Sequence, residues 1–242
     1  MPLKIEGDFL DTLKGGNRLI DSLALEQRAA LLPRCEFVTL KPGAILCEAG
    51  APFAYAYFPV SGTISLVSEL NGNVAFETES IGREGMLGRA LILGINRAPH
   101  RGIVRAPCKA LRMRPGTLEA ALHSHATLAR ILRYYLYAVF EELSHSRGCM
   151  HFHDAGKRLA RALLVAQSRA GAGRPLAMTH QMLASSLVVR RGAVTIAAIK
   201  LQREGVIRYS RGKITILDHG ALEEASCGCY SASLDYHAGL LP

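Results

Sequence analysis

What this chain lacks narrows its function before any motif is read. No apolar run in its 242 residues approaches the length of a membrane span, about 18–20 residues. The N-terminal stretch MPLKIEGDFLDTLKGGNRL has no unbroken apolar core of the kind that marks a secretory leader. Both absences point to a cytoplasmic protein. None of the six cysteines (Cys35, Cys47, Cys108, Cys149, Cys227, Cys229) forms a C-x-x-C pair, and the closest two make CGC near the C-terminus. Disulfide frameworks and zinc knuckles want tighter spacing. The cysteines therefore read as reduced thiols in a reducing compartment, and no metal site is assigned.

Acidic residues are also scarce where it matters. Residues 151–217 hold 12 Lys/Arg against 2 Asp/Glu, a net +10, while 1–150 carry only +3 and the tail 218–242 carries −4. A +10 block of 67 residues is the electrostatic footprint of a polyanion-binding segment. A basic membrane-surface helix would need one strong amphipathic stripe with bulky anchors. This block breaks instead into short elements with polar turns.

What is present falls into three parts: 1–115, 116–150 and 151–242. Residues 17–33, NRLIDSLALEQRAALLP, predict a helix or a pair of short helices ending at Pro33. From Glu36 onward, short β-branched or aromatic runs (FVTL, AILC, AYAYF, GTISLVS, NVAFETE, MLGRALILG, GIVRAPCKALRM) alternate with breakers rich in Gly, Pro or Asn. About eight strands at this spacing predict a double-sheet roll of the jelly-roll kind. A roll of this shape also supports metal-dependent oxygenases, which need two histidines and a carboxylate facing inward. No histidine precedes His100, so the early strands cannot supply them and the chain is not read as an enzyme.

Between Gly116 and Gly148 there is neither Pro nor Gly, and a long helix is predicted. Leu128, Leu132, Tyr135, Val139 and Leu143 recur at steps of four and three, a heptad-like stripe suited to a homodimer seam. CMHFHD at 149–154 then reads as a hinge with incidental histidines, a metal or heme site being the alternative.

The basic block predicts three helices followed by a hairpin: AGKRLARALLVAQSRAG, then HQMLASSL capped by Thr179, then RRGAVTIAAIKLQREG closed at Gly205, then VIRYS and KITIL around Arg211-Gly212. That is the order of a winged helix-turn-helix, and the overall class is α+β. A reader of double-stranded DNA needs the first turn of its second helix at base edges. Arg190, Arg191, Val194 and Thr195 lie there, with Lys200 further along, and Arg offers a two-donor fork to guanine. Thr179 and Gln181 open the first helix, where backbone N–H groups suit a phosphate. Arg208, Tyr209, Ser210, Arg211 and Lys213 form a compact wing for the flanking backbone. A non-specific nucleic-acid-binding protein is the competing reading.

These motifs together resemble the Crp/Fnr superfamily of bacterial transcription regulators. The resemblance spans most of the chain: NRLIDSL, LKPGAILCEAGAPFAYAYFPVSGTISL, IGREGMLG and APHRGIVRAPCKALRM in the roll, then GKRLARALL and Thr179 to Leu217 in the basic block. It implies a homodimer with a cyclic-nucleotide-binding-like roll, a long dimerisation helix and a winged helix-turn-helix per subunit. RNA polymerase is then a candidate further partner. Cyclic-AMP-binding members carry a Gly-Glu pair and a downstream Arg followed by a small hydroxyl residue. Here Gly88 is followed by Arg89, and His100 and Arg101 occupy the downstream positions, so cyclic AMP is not the expected ligand. The iron–sulfur branch needs clustered N-terminal cysteines, and residues 1–34 hold none. In the basic block, Gly192 and Ile196 stand where many members carry an acid and a second Arg, and Val188 stands where the turn usually holds Gly.

Overall fold

A computed structural model of the chain describes residues 16–70, 74–105, 107–170 and 173–238. The expectations for residues 1–15 and for the turn at 71–73 lie outside them. Among the described residues, 16–66 and 80–136 form one compact unit, and 67–70, 74–79 and 137–238 belong to a second.

The N-terminal helical stretch is two short helices, α1 (Arg18–Asp21) and α2 (Leu25–Leu31), followed by a 3-10 turn at Leu32–Arg34. Asn17 is almost fully buried and fastens α1 to the roll. Its Nδ2 donates to the carbonyls of Pro59 (3.0 Å) and Gly85 (2.8 Å), and its Oδ1 accepts from Leu19 N. Strands β1 (Glu36–Leu40), β2 (Ile45–Cys47), β3 (Ala56–Ser61), β4 (Ile64–Leu70), β5 (Val74–Ile81), β6 (Arg101–Val104) and β7 (Cys108–Met113) follow. They make two sheets, ordered β1-β7-β3 and β2-β6-β4-β5. β7 lies between β1 and β3, antiparallel to both, with Phe37 opposite Leu111 and Phe58 opposite the same residue on the other side. Phe58, Ile64, Ile81, Met86, Leu111 and Met113 fill the interior. Gly62 turns the chain between β3 and β4 at φ +73°, where a side chain would run into the Pro107 carbonyl.

One strand-like run is not a strand. MLGRALILG holds a 3-10 helix at Arg89–Leu93, bracketed by Gly88 (φ +94°) and Gly94 (φ +75°). Left-handed glycines at both ends of so short a run cannot stay in a pleated strand.

The long helix also differs from expectation. Pro115, at its N-terminus, opens α3 (Pro115–Ser124), the chain breaks at His125 (φ −126°, ψ +88°), and α4 runs from Ala126 to Phe152. It passes through Gly148 without interruption, because one glycine costs only about 1 kcal/mol inside 27 helical residues, and it ends within the expected hinge, where the chain leaves the helix at His153 and Asp154. Asp154 then starts α5 (Ala155–Ala170), its Oδ1 accepting from Gly156 N (2.8 Å) and Lys157 N (3.0 Å). These backbone donors, that of Lys157 foremost, hold the Asp154 carboxyl below the usual range.

The second unit continues with β8 (Leu176–Ala177), α6 (His180–Leu187), α7 (Arg191–Arg203), β9 (Ile207–Ser210), β10 (Lys213–Ile216), α8 (His219–Glu224) and α9 (Cys229–Ala238). The three short strands form one sheet ordered β8-β10-β9. Leu159, Leu163 and Leu164 from α5, Leu183, Ala184 and Leu187 from α6, and Val194, Ala198 and Leu201 from α7 share one core with Ile207, Ile214 and Leu222. α5 is tied back to α4 by the half-buried pair Arg169–Glu142 (3.0 Å).

Candidate nucleic-acid interface and ligand cavity

Helices α6 and α7 are bent against each other by 113°. That lies within the range of a helix-turn-helix, about 90–120°. The bend is made at Val188, which sits at φ +52°, ψ +50° and donates its N–H to Ser185 O at 3.3 Å. A β-branched residue there is strained, and the turn forms in spite of the substitution because α6 and α7 share the leucine core.

Thr179 caps α6: its hydroxyl accepts from Met182 N at 3.1 Å, which leaves its own O–H to donate outward. The wing is a two-residue hairpin with Ser210 paired to Lys213 and positive φ at both Arg211 (+48°) and Gly212 (+76°). Those signs define a type I′ turn, whose twist matches the strands. A side chain on Gly212 would meet Thr179 Cγ2 at 3.5 Å, so the wing tip and the start of α6 are neighbours.

Thr179, Gln181, Arg190, Arg191, Lys200, Arg208, Ser210, Arg211 and Lys213 are all exposed. Arg190 is the N-cap residue of α7 but gives no side-chain cap, leaving the first backbone donors of that helix open. Lys200 lies toward the other end and approaches Glu204 at 4.0 Å.

Two predicted base readers are placed differently. Val194 is fully buried in the shared core, so it packs α7 and cannot reach a base; an apolar residue three after Arg191 faces inward on this helix. Thr195 is half-buried, its Oγ1 donating to Arg191 O (3.1 Å) and accepting from His180 Nδ1 (3.0 Å). His180 in turn stacks on Tyr209 of the wing, with ring centroids 4.3 Å apart. Burial, and then the Arg191 charge, push the His180 pKa below its ordinary value, which favours the neutral ring. This Thr195–His180–Tyr209 chain links α6, α7 and the wing. It is invisible in sequence because its members lie on separate elements.

The side chains that do occupy the open face of α7 include Ile196, 72% exposed, Ile199 and Arg203. Gly192 has open space around it. The sequence marks Ile196 as an anomaly of type, but only the fold shows that this large apolar residue stands in water.

In the roll, Gly88, Arg89 and His100 come together around a cavity of about 210 Å³. Its remaining wall is mostly apolar, with Phe53, Leu66, Ile81 and Met86 among the lining residues. Arg101 is outside this lining and pairs with Glu48 at 2.7 Å.

The predicted dimer stripe needs correction. Leu128, Leu132, Tyr135 and Val139 are buried within the chain itself, and only Leu143 is exposed. Tyr135 packs on Gly85, and its hydroxyl accepts from Met86 N at 3.3 Å. An α-helix has room for two apolar stripes, and the heptad spacing does not tell which one faces the chain's own core. The second stripe is Tyr137, Phe140, Leu143 and Met150, with Phe140 65% exposed.

The described residues form a β-roll with a small, mostly apolar cavity and, in the second unit, a winged helix-turn-helix. The chain is a member of the Crp/Fnr superfamily: residues 37–125 match the cyclic nucleotide-binding domain and 157–225 the Crp-like helix-turn-helix domain, together about two thirds of the chain. It is therefore a transcription regulator with a DNA-binding helix-turn-helix, and not an enzyme. Similar solved structures include FixK2 from Bradyrhizobium japonicum (16% identity, 80% of this chain and 98% of that one, TM-score 0.67). A CRP/FNR-family transcriptional regulator from Thermus thermophilus (23%, 79% and 98%, 0.56) is also similar. So is the c-di-GMP-responsive global regulator CLP from Xanthomonas campestris (18%, 80% and 99%, 0.56). At these identities they support the fold. No protein of curated function matches the chain in sequence. Among the described residues no single helix is long and apolar enough to cross a membrane.

Proposed function

We propose that the protein is a cytoplasmic homodimeric regulator that reads a near-palindromic DNA site and does not bind cyclic AMP. The observation that carries the DNA reading is the exposed, cation-rich surface shared by the start of α6, the start of α7 and the wing. On this reading Thr179, Gln181, Arg208, Ser210, Arg211 and Lys213 hold phosphates, which fixes register but carries no sequence information. Arg191, with Arg190 beside it, reads a guanine edge, a contact worth about 1–3 kcal/mol of discrimination. Ile196 meets a thymine methyl group, and the bare Gly192 lets the backbone come close. Lys200 and Arg203 add electrostatic attraction.

Functionally, 1–115 is the sensor or scaffold, 116–150 the dimer helix and 151–242 the DNA-binding part. The exposed stripe of Tyr137, Phe140, Leu143 and Met150 supports a seam with a second copy. Two recognition helices would then sit about one DNA turn, roughly 34 Å, apart. Against cyclic AMP stands the cavity itself. Arg89 replaces the carboxylate that would hold a ribose, and no Arg-Ser pair lines the wall. Apolar ligands with one acidic group fit this wall better. RNA polymerase is a proposed partner by analogy with the superfamily alone.

Competition binding with an Arg191→Ala variant tests the reading. Specific affinity should fall by about 5- to 150-fold, for ~1–3 kcal/mol, with non-specific affinity retained. Equal loss of both would contradict the base-reading role. Isothermal titration with cyclic AMP should show no saturable heat; a micromolar site would overturn the cavity assignment.

A further inference from the structure

Cys149, His153, Cys227 and Cys229 lie together in the second unit, with their ligand atoms all within 4.8 Å of one another. We propose that these four residues form a tetrahedral zinc site that clamps the C-terminal segment to the end of α4. The site goes beyond the DNA-reading function and does not depend on it.

The geometry is that of a single ion. With Zn–S near 2.3 Å and Zn–N near 2.0–2.1 Å, the edges of a tetrahedron are about 3.8 Å between two sulfurs and about 3.6 Å between sulfur and nitrogen. Cys149 Sγ and Cys227 Sγ stand 3.5 Å apart, and Cys229 Sγ and His153 Nδ1 stand 3.7 Å apart. An iron–sulfur cluster spreads its thiolates over separate irons and needs them further apart. A Cys149–Cys227 disulfide would leave the third thiol and the imidazole at the same point without a role. Three thiolates and one imidazole form a recognised structural zinc set, and none of its four positions is left open for catalysis.

Chain placement supports the same reading. Cys149 and His153 are four apart, so they share one face at the last turn of α4, where His153 N donates to Cys149 O. Cys227 and Cys229 flank Gly228 at the entry to α9, and this segment is anchored by Tyr230 in the core of the unit. The loop so closed is long, with Cys149 and Cys227 separated by 78 positions. Arg161 of α5 supplies the compensating charge. Its Nη2 bridges Ser146 (3.2 Å) and Ser233 (3.1 Å), and its buried Nε has no hydrogen-bond partner. Three thiolates around Zn²⁺ leave a net charge of −1, which a neighbouring guanidinium stabilises. Binding is balanced by release of the three thiol protons to solvent. Cys35, Cys47 and Cys108 take no part.

The ion would join the end of the long helix to the last helices of the DNA-binding part. Its removal would free α9 and loosen the junction at Asp154, so DNA affinity would depend on the metal and on the redox state of its thiols.

The test is metal content of tag-free, full-length protein purified under reducing conditions, loaded with Zn²⁺ and dialysed against metal-free buffer. About one zinc per chain should remain. In the Cys227→Ser/Cys229→Ser variant it should fall by about tenfold or more, while Cys35→Ser keeps it. Co²⁺ titrated into the stripped wild-type chain should give a thiolate-to-cobalt charge-transfer band saturating at one equivalent, a readout that holds even where the double variant does not fold. Zinc below about a tenth of an equivalent with no cobalt band overturns the site. Undiminished zinc in a folded double variant also overturns it. Neither readout involves DNA, so failure here and failure of the DNA reading are separate results.

Discussion

Replacing Val188 by Gly should stabilise the DNA-binding part. Val188 is held in the left-handed region, at φ +52° and ψ +50°. That region costs an L-residue about 1–2 kcal/mol, and a β-branched one falls at the upper end. Against this gain stand two losses. The side chain is 72% exposed, so its deletion forfeits only a quarter or so of the ~1.5 kcal/mol that full burial of a valine gives. Glycine also adds unfolded-state entropy, about 0.5–1 kcal/mol. The balance is a stabilisation of roughly 0.5–1 kcal/mol, or a rise of about 2–8 °C in the melting temperature of a domain this size. Thermal unfolding of the full-length protein, followed by calorimetry, reads this directly. Ala at the same position keeps the strain and should give much less. A Val188→Gly protein that melts at or below the parent temperature would refute the claim that this turn stores strain.

Other substitutions separate roles that the sequence runs together. Val194→Ala should destabilise the domain by about 1–2 kcal/mol through lost core packing, seen in urea midpoints, and leave the preferred DNA sequence unchanged. Altered base preference with unaltered stability would place Val194 at the DNA instead. Phe140→Glu should convert a dimer to a monomer in sedimentation equilibrium, whereas a dimer persisting unchanged would put the seam elsewhere. His180 has a lowered pKa in the fold, from burial first and Arg191 second. Its contribution is therefore fully present above the unfolded value of about 6.5 and is lost as pH falls through the lower folded value. Melting temperature should drop with acid across that window in the wild type and less so in His180→Phe; identical pH profiles would contradict the linkage.

The winged helix-turn-helix is largely legible in the sequence because its signals are local. Thr179 as a cap, Gly205 as a helix stop and Arg211-Gly212 as a hairpin tip each act within a few residues, and each is found in that role or beside it. The roll is legible from the spacing of its breakers. Three things are not fully so. Periodicity alone cannot tell which stripe of α4 meets the chain's own core, so Tyr135 reads as a seam residue. The same ambiguity puts Val194 at the DNA, since inward and outward faces of α7 begin one residue apart. The thiol–imidazole cluster shows only in part: CMHFHD carries a metal site as its alternative reading, but Cys227 and Cys229 are brought to it across 76–78 residues by tertiary packing, which spacing rules do not see.

The most direct test is footprinting of the protein across the promoter region of its own gene, with excess competitor DNA present. The proposed reading predicts one protected, near-palindromic segment with half-sites about one helical turn apart, lost in Arg191→Ala. Uniform, weak protection along the whole fragment, falling steeply with salt and indifferent to Arg191, would contradict sequence-specific recognition.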